Sequence, residues 1–336
     1  MEEDLLLELL KIDSESGNEK ELGEFIVKRL EKNFKVEIQK IKENFNIFAY
    51  TGKPKTIFST HLDTVPGKLE IKNDGQFIYG RGACDSKSQI TAMILASEKA
   101  LEKGMKDFGL LFTVQEETDF AGAKKAVELV PDSVELVVYG EPSNLEILSG
   151  QKGLMTFKII CKGKAAHGST PEKGINAIEI LMKNLQKLKQ LDFEKNNSLG
   201  ENSLNIGIIK GGTAVNVVPD YAEATIEIRN TIDPKKILEK IKQELEDIEI
   251  DFVNFYEPVF NAGAENLAGK LGLKTKIISY FTEMYFFKDK ANTLVIGAGN
   301  DECAHTNNER VSIEELKKLV NIYLKIIKNQ NASTNS

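Results

Sequence analysis

Apolar positions along the first 150 residues recur in two registers. Helical spacing predicts helices at about 2–11, 18–32, 86–103 and 119–130. Between them stand short apolar runs bounded by turn residues, Thr56–Ser59, Leu110–Val114 and Val134–Tyr139, and the pattern resumes with Thr293–Ile296 before a closing helix at 312–328. Uninterrupted apolar runs of strand length are what a strand needs when both of its faces are covered. Their alternation with helices predicts an α/β domain with a largely parallel sheet and helices on both faces.

Between about 154 and 255 the order of elements changes. Leu154–Lys162 reads as a strand and Gly174–Leu191 as a helix with Ile175, Ile178, Leu181, Leu185 and Leu188 on one stripe. Ser203–Lys210 and Tyr221–Asn230 read as strands, Pro234–Leu245 as a helix and Ile248–Val253 as a strand. Tyr221–Arg229 alternates at period two, as a strand with one buried face does. The order β-α-β-β-α-β is that of a ferredoxin-like α+β unit. Residues 154–261 are therefore expected to form a second domain inserted into a first made of 1–153 and 262–336, with the chain leaving the large sheet near Gly153 and returning near Asn261–Gly263.

At 336 residues the chain is long enough for two domains. A net charge of -7 leaves no basic surplus to neutralise phosphates, so nucleic acid is not an expected partner. The longest apolar stretches are broken by charge before the ~20 residues that a membrane span requires. The acidic, amphipathic start Met-Glu-Glu-Asp-Leu-Leu-Leu is unlike a signal peptide, and the cytoplasm is the expected location. Three cysteines, Cys84, Cys161 and Cys303, form no disulfide framework. The polar tail after Lys328 is expected to fray.

The chain has three histidines, His61, His167 and His305. His61 and Asp63 follow the first apolar run, Glu116 and Glu117 the second and Glu141 the third, while His305 lies in the loop after Thr293–Ile296. The carboxyl ends of strands are where open α/β sheets build their sites. Asp85 arrives separately, after the Gly80-Arg81-Gly82 turn, where an acid is also a natural helix N-cap. Taken alone, Glu116-Glu117 reads as a solvated pair and His61 as a packed histidine. Together on one edge, two imidazoles and several carboxylates suit a divalent metal such as zinc. The carboxylates of Asp63, Asp85, Glu116, Glu117 and Glu141 nearly balance two doubly charged cations, so a dinuclear site is the economical reading. The spacing His61-x-Asp63 lets Asp63 accept the second ring N–H of His61. Cys84 and Cys303 flank this set, and a small buried apolar role is expected for both.

The ordered segments His61-Leu-Asp63-Thr-Val-Pro, Gly80-Arg-Gly-Ala-Cys-Asp85, Gln115-Glu116-Glu117, Gly140-Glu141-Pro-Ser, Gly163-Lys-Ala-Ala-His167-Gly-Ser and His305-Thr-Asn-Asn-Glu309 resemble the signatures of the acetylornithine deacetylase and succinyl-diaminopimelate desuccinylase family of dinuclear zinc hydrolases. The resemblance runs from about residue 5 to 328. It implies a zinc-peptidase-like α/β/α catalytic domain with an inserted ferredoxin-like lid that dimerises. It further implies that Asp85 bridges two metal ions, with His61 and Glu141 completing one and Glu117 and His305 the other. Zn²⁺ is the expected metal, with Co²⁺ or Mn²⁺ as alternatives. Glu116 resembles the general base, Asp63 the residue that orients a ligand, and His167 a lid residue that stabilises the oxyanion, often from a partner subunit.

Substrate signals lie in the segments that follow. Asn216, within Gly211-Gly-Thr-Ala-Val-Asn-Val-Val-Pro219, and Arg229 resemble family positions that hold a substrate carboxylate. Thr282-Glu283-Met284 resembles the Thr-Glu-Ala of acetylornithine deacetylases, which points Glu283 toward an amine-bearing substrate. The chain departs from the family at Asp85-Ser-Lys-Ser88, where Asp-Met-Lys-Gly is usual, and it has no tryptophan. The expected reaction is hydrolysis of an N-acyl amino acid. A dipeptidase, an aminopeptidase, a succinyl-diaminopimelate desuccinylase or a carrier-protein-linked lysine or ornithine hydrolase of the same fold stands as the alternative.

Overall fold

The computed structural model describes residues 2–261 and 263–332. The chain forms two compact units, one of residues 1–149, 261–276 and 286–336 and the other of 150–260 and 277–285. The segment 277–285, which carries Glu283, groups with the second unit, whereas the sequence pattern places it in the first.

In the first unit, four strands form a parallel centre in the order Phe108–Thr113, Thr56–His61, Leu136–Tyr139, Asn292–Val295. Their side chains alternate between two cores. Phe58, Leu110, Phe112 and Val138 face one side, with the helices Glu2–Lys11, Lys87–Glu102 and Ile313–Ala332. Ile57, Leu111 and Val137 face the other, with Ala126 of the short helix Ala121–Ala126, Val130 beyond its end and Phe287. Apolar cover on both faces is why these strands read as runs free of Lys, Arg, Asp and Glu. Each such Phe or Leu, buried in full, contributes about 1.5–3 kcal/mol.

The sheet is less parallel than expected. Lys35–Ile41 and Asn44–Thr51 form an antiparallel hairpin, and the second of these strands pairs antiparallel with Phe108–Thr113. Beyond Asn292–Val295 the strand Ile147–Gln151 is antiparallel too, with Leu148 opposite Val295. The register of the parallel centre fixes the site. His61 lies opposite Thr113, and Tyr139 lies opposite both Ser59 and Val295, so the loops leaving these strands emerge along one edge.

The second unit is a four-stranded antiparallel sheet in the order Ser203–Gly211, Tyr221–Arg229, Leu154–Lys162, Glu249–Tyr256. Helices Ala177–Gln190 and Pro234–Glu244 bury Leu181, Leu185, Leu188, Ile237 and Ile241 against one face, including Phe157, Ile159, Ala224 and Ile226. Both helices start on a side-chain cap. Asn176 accepts from the N–H groups of Ile178 and Glu179, and Asp233 accepts from that of Lys235. This is the expected ferredoxin-like arrangement. The closing helix of the first unit reaches Ala332, past the point where fraying was expected, and the rest of that tail lies outside the described residues. Among the described residues, no helix is long and apolar enough to cross a membrane.

Candidate metal centre

His61 ends its strand fully buried, with Nε2 2.9 Å from Oδ1 of Asp85 and 3.6 Å from Oε1 of Glu141. His305, on a loop residue with φ +61°, brings its Nε2 to 2.8 Å from Oε1 of Glu117 and 3.2 Å from Oδ2 of Asp85. Asp85 thus turns one oxygen toward each imidazole. Ligand atoms of His61, Asp85 and Glu117 lie within 4.8 Å of one another. Asp85 does not cap the helix that follows, because Ser86 occupies the N-cap position of Lys87–Glu102 and the Asp85 carboxylate faces the two histidines.

The cluster is acidic and short of cations. Burial, with the charge of Asp85 behind it, pushes the Glu141 carboxyl well above the usual carboxylate range. Burial pushes Asp85 the same way, but the hydrogen bonds from His305 and His61 outweigh it and hold this carboxyl well below its ordinary value. Hydrogen bonds to Asp85 and Glu117 push the His305 ring up to about 10. His61 is raised as well, because Asp63 and Asp85 overcome the burial that would lower it. The surrounding carboxylates thus favour the cationic form of both imidazoles. A set of nitrogen and oxygen donors with excess negative charge and one carboxylate shared between two halves fits two divalent cations of the zinc type.

Three buried carboxylates set the loops that carry these groups. Asp63 accepts from the Ser16 hydroxyl at 2.7 Å and from the N–H groups of Glu116 and Glu117, both at 3.0 Å. With its oxygens so engaged, the Asp63 carboxylate stays 3.5 Å from His61 Nδ1, whose nearer partner is the Asp63 carbonyl at 2.9 Å. The orientation of His61 thus comes from the backbone of Asp63 more than from the side chain that the spacing suggested. Glu19 accepts the N–H of Gln115 at 3.1 Å, where φ is +61°. Every N–H from 115 to 117 therefore ends on a carboxylate, which fixes where Glu116 and Glu117 leave the chain.

Glu309 does the same for the loop that carries Asp85. Its Oε1 accepts from the N–H groups of Gly82, Cys84 and Asp85 at 3.0, 3.1 and 3.1 Å, and its Oε2 lies 2.6 Å from Arg81 Nη1. Gly80 and Gly82, at φ +147° and +85°, allow the chain to wrap this carboxylate. Glu309→Ala should destabilise the fold by about 3–5 kcal/mol, since it leaves the Arg81 charge and three amides unpaired. Denaturant titration checks this, and a loss under 1 kcal/mol would remove Glu309 from its supporting role. The sequence pattern singles out neither Glu19 nor Glu309 for such a role. Glu309 closes the His305–Glu309 segment, whereas Glu19 carries no local signal.

The remaining candidates belong to the second unit, apart from the cysteines. His167 is exposed, with Nδ1 2.7 Å from the Ser169 hydroxyl, and its loop pairs with Val217. The Gly168 N–H donates to the Asn216 carbonyl at 2.7 Å, so His167 and Asn216 lie on two strands of chain held together. Arg229 Nε donates to Glu227 Oε1 at 2.7 Å, two residues along its own strand. Glu283 is fully buried, following Thr282, whose N–H and hydroxyl both donate to Gln151 Oε1. Cys84 is buried as expected. Cys303 is not, because its loop keeps it among polar groups at the edge of an open cavity.

Residues 149–252 match the model of a peptidase dimerisation domain. A Peptidase M20 domain-containing protein of Schizosaccharomyces pombe is 32% identical over 338 residues, covering 95% of this chain and 82% of the relative. The [LysW]-lysine/[LysW]-ornithine hydrolase of Sulfurisphaera tokodaii is 34% identical over 342 residues, covering 96% of this chain and 94% of the relative. Among solved structures, a tripeptidase from Staphylococcus aureus superposes with a TM-score of 0.82 at 26% identity, covering 97% of both chains.

Proposed function

The chain belongs to the M20 peptidase family and is a metallo-amidohydrolase, and from its site we propose that it cleaves the amide of an N-acyl amino acid or short peptide with two divalent cations bound. The observation that carries this reading is Asp85, whose two oxygens face the two imidazoles separately. His61 and Glu141 would hold one cation, Glu117 and His305 the other, and Asp85 both. Zn²⁺ is the expected ion, with Co²⁺ or Mn²⁺ as alternatives. Bound there, the cations would supply Lewis-acid chemistry, acidifying water and polarising the amide carbonyl. A solved M20 neighbour is described as a dinuclear metal-binding peptidase, which supports the same count.

The protein's own groups do the proton work. The Glu116 carboxylate accepts the proton of the attacking water and returns it to the leaving nitrogen. The His167 imidazole donates to the oxygen that gains charge, and because it sits on the dimerisation unit, a homodimer assembled through that unit completes the site. Asn216 and Arg229 hold the substrate carboxylate. Glu283 places a buried carboxylate where an amine-bearing side chain would neutralise it, favouring ornithine or lysine as the released amino acid. That preference supports acetylornithine as substrate. The similarity to the [LysW]-lysine/[LysW]-ornithine hydrolase over nearly both whole chains favours a second reading, in which the same basic amino acids are released from a carrier protein.

A hydrolysis screen with added Zn²⁺ or Co²⁺ tests these readings, using N-acetylornithine, neutral N-acetyl amino acids, dipeptides and carrier-linked lysine. Cleavage of none of them would overturn the proposal. Glu283→Gln should lower kcat/KM for basic over neutral substrates by about tenfold. An unchanged ratio removes Glu283 from the specificity pocket.

Metal loading should also release protons. The His305 ring, pushed up to about 10, is protonated at pH 7, the buried His61 ring is shifted in the same direction, and only neutral imidazole ligates. Loading should therefore expel at least about one proton per chain, that of His305, and affinity should rise with pH through neutrality toward 10. Calorimetry in buffers of different ionisation heat measures the number, and zero release would contradict this protonation state.

A further inference from the structure

We propose that Cys303 and Cys84 form an oxidant-sensitive dithiol whose closure by a peroxide withdraws Asp85 and His305 from their metal-binding positions. The two sulfurs belong to segments far apart in sequence that meet at one carbonyl. The Cys84 thiol donates to the Asn300 carbonyl at 3.4 Å, and the Cys303 N–H donates to the same oxygen at 2.9 Å. The two thiols are also near enough to act on each other electrostatically. Cys303 Sγ accepts the Arg310 N–H at 3.3 Å, which fixes the sulfur within its loop.

Their exposures divide the chemistry. Cys303 is half-buried and lines an open cavity of about 300 Å³ beside Thr306 and Arg310, so a small peroxide reaches it from solvent. Cys84 is fully buried behind it. In the first step the Cys303 sulfur attacks one oxygen of hydrogen peroxide, the O–O bond breaks, and a sulfenic acid and water form. In the second the Cys84 sulfur attacks the sulfenic sulfur, the S–O bond breaks, and hydroxide leaves with the thiol proton as a second water. The thiols lose two electrons in all and the peroxide gains them.

The position of the pair gives the step its consequence. Cys84 directly precedes Asp85, and Cys303 lies two residues before His305. A disulfide holds its sulfurs about 2.05 Å apart, closer than two unbonded sulfurs can pack, so closure draws both loops inward and shifts side chains that lie 3.2 Å apart. Cys161, buried in the other unit, serves as an internal reference thiol.

The test treats metal-free and zinc-loaded protein with equimolar hydrogen peroxide. Expected in both is loss of two of the three thiols, a mass decrease of two hydrogens and a linked Cys84–Cys303 peptide. The loaded protein should release metal to a chelating dye, with affinity lowered at least about tenfold and restored by dithiothreitol. Cys303→Ser, or Cys303→Ala if the serine variant fails to fold, should form no link and keep its metal through the treatment. Oxygen addition at Cys303 without the link, or a link that leaves metal affinity unchanged, overturns the proposal. Absence of metal from untreated protein would speak against the dinuclear reading instead, and the link in metal-free protein is scored independently of it.

Discussion

Asp85→Ala is expected to leave the chain without bound metal at micromolar zinc and to lower kcat/KM by at least about 10⁴-fold. The reason is the geometry of one side chain. Asp85 is the only carboxylate among the described residues with oxygens facing both His61 and His305, at 2.9 and 3.2 Å. Removing it deletes a donor from each half of the site and leaves Glu141 and Glu117 with one imidazole each. The contrast is His305→Ala, which removes a donor from one half and should leave about one cation per chain. Metal analysis of the desalted variants separates the two outcomes. An Asp85→Ala chain that retains two equivalents would rule out a shared ligand, and one that retains a single equivalent would assign Asp85 to one half alone.

How much of this is legible in the sequence depends on whether the information is local. The strands at Thr56–His61, Phe108–Thr113, Leu136–Tyr139 and Asn292–Val295 can be read because cover on both faces leaves a run free of Lys, Arg, Asp and Glu around an apolar centre. The same register brings their following loops to one edge, so the place of His61, Glu117, Glu141 and His305 just after these runs is enough to group them. The hairpin Lys35–Thr51 escapes the pattern because its outer strand lies at the edge, where Lys35, Glu37 and Gln39 interleave with Val36 and Ile38, and Ile38 is 51% exposed. Such a strand presents no apolar run to find.

The supporting carboxylates are hidden for a different reason. Glu19 and Glu309 act on N–H groups of loops distant in sequence, and nothing in the residues around them announces a partner at Gln115 or at Gly82, Cys84 and Asp85. Asp63 is conspicuous by its spacing from His61, yet its carboxylate chiefly holds the amides of Glu116 and Glu117. Spacing shows that two residues can meet. It does not show which acceptor prevails when several donors compete for one carboxylate.

That competition bears directly on the other large effect. Glu116→Gln should keep both cations and the substrate KM within about threefold while lowering kcat by roughly 10²–10⁴-fold, the usual weight of a positioned general base. The separation of binding from turnover follows from how the residue is held. Its backbone N–H is fixed by Asp63 whatever its side chain, and the neighbouring N–H of Glu117 is fixed by the same carboxylate, so the amide variant leaves the Glu117 carboxylate in place. What changes is the ability to accept a proton, since a glutamine amide has no basic site near neutral pH. Metal analysis with steady-state kinetics on the best substrate of the screen measures both quantities. Loss of metal in Glu116→Gln would make the residue a ligand, and a kcat within threefold of the parent would require another base. With Asp63→Ala the two effects should merge, because the shared anchor of Glu116 and Glu117 is gone and both metal content and kcat fall together.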